Sequence, residues 1–323
     1  MSTSYQQIHQ NILTWYTSHG RVTLPWRNTS SPYEIYLSEI MLQQTQVKTV
    51  LERFYFPFLK KFPTFKDVAN APVDDVLKAW EGLGYYTRAR NLHKTAQMTQ
   101  GELPTSAEEL EKLSGIGRST AHAVACFAFD EALPILDANV KRILYRFFAV
   151  EKCSDKELWS YAYKLFDDKR AYDYNQAMMD IGSQICLHKK PQCSVCPFES
   201  QCLGKDEPLL YPTKKVKKKK PVRAKNILIQ SSENKIAIFQ NRDKKLLHGL
   251  WGFEQFDAEL KEEDWNHIGE ISHHYTHFHL QAKVYWVDAG VLDLEFYSLD
   301  EIAELALSTA DKKVIKLFTS RIN

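Results

Sequence analysis

Four cysteines, Cys186, Cys193, Cys196 and Cys202, are crowded into one short stretch with gaps of six, two and five residues. The other two of the chain's six cysteines, Cys126 and Cys153, stand far off in helical surroundings. Pro191 and Pro197 make the crowded stretch a loop, so its four thiolates are expected to converge on one point. Thiolates select soft metals, which leaves a structural zinc ion or an iron–sulfur cluster. A zinc ribbon pairs two C-x-x-C knuckles. Here a single C-x-x-C is flanked by unequal arms, which suits wrapping around a bulkier inorganic cluster, and the cluster is preferred. A disulfide pair is disfavoured, because the polar residues 1–10 do not read as a secretory signal.

A length of 323 residues with 44% hydrophobic composition predicts about two domains, each with an ample core. No run approaches the roughly 18 apolar residues of a membrane span, and a cytoplasmic, nucleoid-associated monomer is expected. The net charge of +2 hides an uneven distribution. Between Pro212 and Pro221 the run Lys-Lys-Val-Lys-Lys-Lys-Lys reads as an extended, solvated linker. It divides the chain into a catalytic domain over 1–212, a basic linker over 213–222 and a second domain over 223–323. Before the linker, apolar residues recur at three and four, predicting an all-α domain. After it, runs rich in Val, Ile and aromatics at 226–230, 235–240 and 282–288, with an amphipathic helix near the end, predict an α+β domain.

Residues 113–121, Leu-Ser-Gly-Ile-Gly-Arg-Ser-Thr-Ala, set Gly115 and Gly117 two apart between a helical run and a helix of small residues. Such a tight hairpin offers free backbone N–H groups and a helix dipole to a DNA phosphate; an ordinary glycine-containing helix connection is the plainer alternative. The cysteine spacing together with this hairpin resembles the endonuclease III superfamily of DNA repair glycosylases. Further stretches are Leu-Pro-Trp-Arg at 24–27, Leu-Ser-Glu-Ile-Met-Leu-Gln-Gln-Thr-Gln-Val at 37–47, Gly-Leu-Gly-Tyr-Tyr at 82–86, Leu-Asp-Ala-Asn-Val-Lys-Arg at 136–142 and Asn-Gln-Ala-Met-Met-Asp at 175–180. These resemble the MutY-type adenine DNA glycosylases, and the resemblance runs from about Trp15 to the C-terminus. It implies a helix-hairpin-helix glycosylase fold, a 4Fe-4S cluster on the four cysteines, and double-stranded DNA holding adenine opposite 8-oxoguanine as the partner. In the bifunctional branch a lysine at the place of Ser119 forms a Schiff base with the sugar, an amine chemistry that serine cannot perform. Monofunctional hydrolysis is therefore expected.

Glu39 sits on a helix predicted to begin at Ser31-Pro32, a cap followed by proline at the first helical position. No cation lies within helical reach of it, so burial would raise its pKa and keep it protonated near neutrality. Composition alone favours a surface glutamate on an amphipathic helix; the resemblance reverses this and implies that it is the general acid protonating the leaving adenine. Asp137 reads as an N-cap whose accepted hydrogen bonds favour the carboxylate. The resemblance implies that it stabilises the sugar cation, with Asn139 positioning it, in the manner of paired carboxylates in sugar chemistry. It also implies that Gln44 and Tyr85 wedge into the duplex while the base is flipped, and that Arg21, Trp26 and Gln176 line the adenine pocket. Tyr86 is as well read as core. In the second domain the run from His273 to His279 is too poor in carboxylates and thiols to favour a metal, and its alternating histidines read as one face of a strand. Tyr275-Thr276-His277 resembles the family's Phe-Ser-His loop, which probes 8-oxoguanine. Tyrosine keeps a stacking ring there and threonine a hydroxyl. A Nudix-like fold is implied, without the Gly-x5-Glu-x7-Arg-Glu-x-x-Glu-Glu signature of metal-dependent hydrolysis. The competing enzyme is an endonuclease III-like glycosylase for oxidised pyrimidines, against which Ser119 and the second domain speak. A non-catalytic damage-binding protein is disfavoured by the presence of both carboxylates.

Overall fold

The computed structural model describes residues 5–213, 219–243, 246–259, 264–288 and 294–322. Most of the basic run, at 214–218, lies outside the described residues.

The first two-thirds of the chain is helical, as its periodicity predicts. In order come α1 (Gln6–His19), a 3-10 turn at Pro25–Arg27, α2 (Pro32–Leu42), α3 (Val47–Arg53), α4 (Tyr55–Lys61), α5 (Phe65–Asn70), α6 (Val73–Ala79) and α7 (Thr87–Met98). They are followed by α8 (Ala107–Glu111), α9 (Arg118–Phe129), α10 (Ala138–Phe147), α11 (Asp155–Leu165) and α12 (Ala171–Gln184). The remainder is α+β: strands β1 (Val222–Ser232), β2 (Lys235–Ala237), β3 (Phe239–Gln240), β4 (Trp251–Gly252), β5 (Glu254–Asp257), β6 (Asn266–His274), β7 (His279–Asp288) and β8 (Phe296–Tyr297), then helices α13 (Leu299–Ala303) and α14 (Thr309–Ile322).

Two compact units emerge. One comprises residues 1–50, 64–66 and 94–216, the other 51–63, 67–93 and 217–323. In the first, α1, α10, α11 and α12 interdigitate Ile8, Ile12, Ile143, Phe147, Leu165 and Ile181 into one apolar core, and Cys186, Cys196 and Cys202 pack on its edge. A smaller cluster of Ile35, Ala123, Phe127 and Ile135 joins α2 to α9. In the second unit the sheet runs β6-β7-β1-β2-β8, with β5 also paired to β1. The parallel β1–β7 pair holds ten residues in register, from Val222 against His279 to Ser231 against Asp288. Ile227, Ile229, Leu280 and Val284 of this pair are buried against Val314 and Phe318 of α14. Among the described residues no helix is long and apolar enough to cross a membrane.

Candidate active site and cysteine cavity

The first unit contains a cleft of about 840 Å³ lined by Glu39, Asp137 and Asn139 together with Arg21, Trp26, Gln44, Ser119 and Gln176. Eight of the residues singled out in the sequence thus share one cavity, although they come from five separate stretches of chain. Glu39 is delivered by α2, which begins as expected: Ser31 is the N-cap, its side chain accepts from Glu34 N, and Pro32 opens the first turn. Burial, the negative charge of Asp137 and, in opposition, the positive charge of Arg27 bring the Glu39 carboxyl up from 4.5 to about 7. The expectation of a raised pKa holds. No cation comes from the helix of Glu39 itself, as expected, but its surroundings are not purely neutral, because Arg27 reaches it from the 3-10 turn and Asp137 from the start of α10.

Asp137 caps α10. Its carboxylate accepts from Val140 N at 2.7 Å and from Asn139 Nδ2 at 3.2 Å. The extended segment before it is held from both sides. Asn175 accepts from Ile135 N at 3.0 Å and donates to the Leu133 carbonyl at 2.9 Å, while Ser119 Oγ accepts from Leu136 N at 3.2 Å. Asp137 departs from the expected shift: burial pushes its pKa up, outweighing the hydrogen bonds from Val140 and Asn139 that pull it down. The two carboxyls are therefore both raised, and not displaced in opposite directions. The Asp137 charge helps hold the proton on Glu39. Asn139 is fixed in turn. Its carbonyl accepts from Arg142 Nη2 at 2.9 Å, and Arg142 also donates to the carbonyls of Gly182 at 2.6 Å and Cys186 at 2.7 Å.

Gln44 lies just beyond the end of α2 with φ 57°, and Tyr85, in the second unit, has φ 50°. Left-handed backbone at non-glycine residues is strained and clusters at functional positions. Tyr85 is 43% exposed, and the Arg88 guanidinium, 5.3 Å from its ring and 5.5 Å from that of Trp80, props it. Gly82 and Gly84 at φ 94° and 76° shape the loop. Tyr86 is structural, donating to the Leu307 carbonyl at 3.1 Å and accepting from Gly82 N at 3.3 Å. In the hairpin Gly115 has φ 75°, and Gly117 is the N-cap of α9 with no side-chain cap bond there. A Cβ on Gly117 would meet nothing within 4 Å, which leaves open space around the helix N-terminus.

The four loop cysteines line a second cavity with Arg146, Phe147 and Phe198. Among the described residues no group of three or more His, Cys, Asp or Glu is placed to hold a single ion, although the four cysteines expected to converge all line this one cavity. Burial, then the charges of the neighbouring cysteines, push Cys196 up to about 12 and Cys202 up to about 11. Four thiolates here need positive charge between them. Arg146 supplies part of it, donating to Cys186 Sγ at 3.2 Å.

Residues 37–167 match the family described as HhH-GPD superfamily base excision DNA repair protein, and residues 226–317 match the NUDIX domain family. The adenine DNA glycosylase of Buchnera aphidicola subsp. Baizongia pistaciae is 37% identical over 95% of each chain. This chain belongs to the adenine DNA glycosylase family. It is an enzyme, a hydrolase of N-glycosyl bonds. The human adenine DNA glycosylase is 30% identical over 95% of this chain and 73% of its own. Among solved structures, a thermostable thymine-DNA glycosylase superposes with a TM-score of 0.58 at 28% identity, covering 64% of this chain and all of its own. A non-covalent endonuclease III–DNA complex superposes at 0.55 and 22% identity over 64% of this chain and 98% of its own, which bears on fold alone.

The run from His273 to His279 is a hairpin and not one strand. His274 ends β6, His279 opens β7, and the two are paired in register with rings stacked at 3.9 Å. Tyr275 turns inward onto Phe278, ring centroids 4.7 Å apart. Burial, the Asp311 charge and, against them, a Ser308 hydrogen bond bring its pKa to about 12. It is not a free stacking ring. Thr276 and His277 are exposed at the tip, and Thr276 Oγ1 approaches Tyr85 Oη at 3.5 Å. Sequence reasoning missed Arg27, Asn175 and Asp180 as members of the site. All three stand in stretches that carry the family resemblance, at 24–27 and 175–180, and Asp180 also lies one helical turn after Gln176.

Proposed function

We propose that this enzyme excises adenine mispaired with 8-oxoguanine or guanine in double-stranded DNA, as a monofunctional glycosylase. The observation that carries the reading is the pair of half-buried carboxyls in one cleft, with Glu39 still holding a proton near neutral pH. Glu39 donates that proton to N7 of the flipped adenine, the bond from the base to the sugar breaks, and the electron pair leaves with the neutral base. The Asp137 carboxylate stabilises the oxocarbenium ion, and a water then adds to the sugar, its proton passing to a carboxylate of the cleft and so restoring the acid. Asn139 holds Asp137 in place. Gln44 and Tyr85 fill the space left in the duplex, while Arg21, Trp26 and Gln176 surround the base.

With no amine at position 119, the Ser119 hydroxyl is occupied in holding the segment before Asp137, which supports hydrolysis without strand cleavage. Gly115 and Gly117 present the N-terminus of α9 to a phosphate. Thr276 and His277 read 8-oxoguanine, with Tyr275 anchoring their turn. The cofactor of this reading is a 4Fe-4S cluster, supported by the four cysteines lining one cavity and by their spacing, a single C-x-x-C flanked by unequal arms. When bound it supplies four metal–thiolate bonds that pin the loop from Cys186 to Cys202, and no step of excision passes through it.

The test is a duplex with a single adenine opposite 8-oxoguanine. Adenine should be released while the strand stays whole until alkali is added, and stoichiometric borohydride trapping of the enzyme would contradict the role given to Ser119. His277→Ala should excise adenine but lose preference for 8-oxoguanine over guanine. An unchanged ratio of the two rates would leave the hairpin tip without that role.

A further inference from the structure

Asp180 has no exposed surface, yet it lies one turn from Gln176 on α12 and its partners line the cleft. Its two oxygens receive the Arg21 backbone N–H at 2.7 Å, Arg21 Nε at 2.7 Å and Arg21 Nη2 at 2.5 Å. They also receive Arg27 Nη1 at 2.8 Å and Nη2 at 2.9 Å. Both arginines line the cleft, and the Arg27 side chain is only 4% exposed. Its guanidinium also lies 5.8 Å from the Tyr16 ring, and its carbonyl accepts from Tyr172 Oη at 3.2 Å. A buried carboxylate without cations would be untenable, and the buried Arg27 guanidinium without an anion equally so, while the half-buried Arg21 completes the clamp.

We propose that Asp180 is a positioning residue for base excision: it clamps Arg21 and Arg27 as one wall of the cleft and screens Glu39 from the charge of Arg27. The proposal rests on Glu39 being the acid. Asp137 faces Glu39 from the start of α10, and Arg27 faces it from the 3-10 turn. Behind Arg27 stand Asp180, Arg21, Tyr16 and Tyr172, with Asp173 beyond. Arg27 already draws the proton off Glu39 against the pull of burial and of Asp137. With Asp180 gone, an uncompensated Arg27 would draw it off at lower pH. Burial works against an ionised Asp180, but the hydrogen bonds and charges of Arg27 and Arg21 hold its carboxyl below the usual range, so the clamp is charged at every pH at which Glu39 titrates.

The experiment measures single-turnover adenine release against pH for the full chain and for Asp180→Asn, Arg27→Gln, the double variant and Glu39→Gln. The fall in rate at alkaline pH should move acidward by about half a unit or more in Asp180→Asn. In Arg27→Gln it should move the other way, and in the double variant it should return to or beyond the original position. Should Asp180→Asn fail to fold, Arg27→Gln and the double variant carry the test. A limb that stays put in every variant, or rates lowered by one factor at all pH values, would mean that the clamp is structural only and would overturn the proposal. Retained excision by Glu39→Gln would instead remove the assignment of the acid itself, so the two failures are distinguishable.

Discussion

Keeping an ionisable acid half-buried weakens the fold wherever that acid is charged, and Glu39 gives this a measurable form. Its folded-state pKa of about 7 lies above the ordinary value of 4.5. The protonated form is therefore compatible with the fold below pH 4.5, and stability is lost progressively as pH rises toward 7. Glu39→Gln should be more stable than the native protein at pH 8, by about 1–3 kcal/mol once water in the open cleft is allowed for. That gain should vanish near pH 4, as checked by thermal unfolding at both values. The same substitution should cut single-turnover excision by at least about 100-fold with DNA binding retained, the range for a lost general acid. Asp137→Asn should slow it as much or more, since it removes the negative charge facing the sugar cation. These carboxylates were legible in the sequence through their surrounding motifs. Their shared upward shift was not, because burial depends on partners such as Arg27 and Asn175 that local spacing cannot reveal.

At the scale of elements, the site is a meeting of α10 and α12. A Cβ on Gly182 would lie 2.5 Å from Asn139 Cβ and 3.3 Å from Asn139 backbone, so the close approach of the two helices requires glycine there. Arg142 bridges the same contact by bonding both the Asn139 side chain and the Gly182 carbonyl. Gly182→Ala must push the start of α10 outward, which costs about 1–3 kcal/mol in a packed core and displaces the group that holds Asp137. The expected outcome is a lower melting temperature together with excision reduced by at least about tenfold at saturating DNA. Full activity with only the stability loss would show that the Asn139–Asp137 contact survives the shift. Periodicity foretold both helices but not their crossing. The histidine run shows the same limit: alternation suggested a strand, whereas residues 275–278 form a turn whose inward Tyr275 is held by Phe278 and by a hydrogen bond with Ser308, distant in sequence.

At the scale of the whole chain, the change from helical to strand-like patterning was plain in the sequence, and so was the cysteine loop. The composition of two compact units was less so. Residues 51–63 and 67–93 pack with the C-terminal part, through bonds such as Leu307 N to Glu81 at 3.0 Å and Lys78 to the Leu305 carbonyl at 3.0 Å, pairings more than 200 residues apart that composition cannot encode. The cysteine loop works over comparable reach. From Cys186 onward it runs back across α10, with Leu203 N bonded to the Phe147 carbonyl and Gly204 N to that of Arg146, and Phe198 sits in the main core of the first unit. A cluster bound to Cys186, Cys193, Cys196 and Cys202 would therefore fasten that core rather than an isolated flap. The purified protein should be brown, absorb broadly near about 400 nm and contain about four irons per chain; stoichiometric zinc instead of iron would overturn the cluster assignment. Because the metal–thiolate bonds hold the folded loop, Cys196→Ser should lose iron and yield less folded protein. Whatever fraction retains the fold should excise adenine at a rate per active molecule close to the native one, since Glu39 and Asp137 line a different cavity from the cysteines.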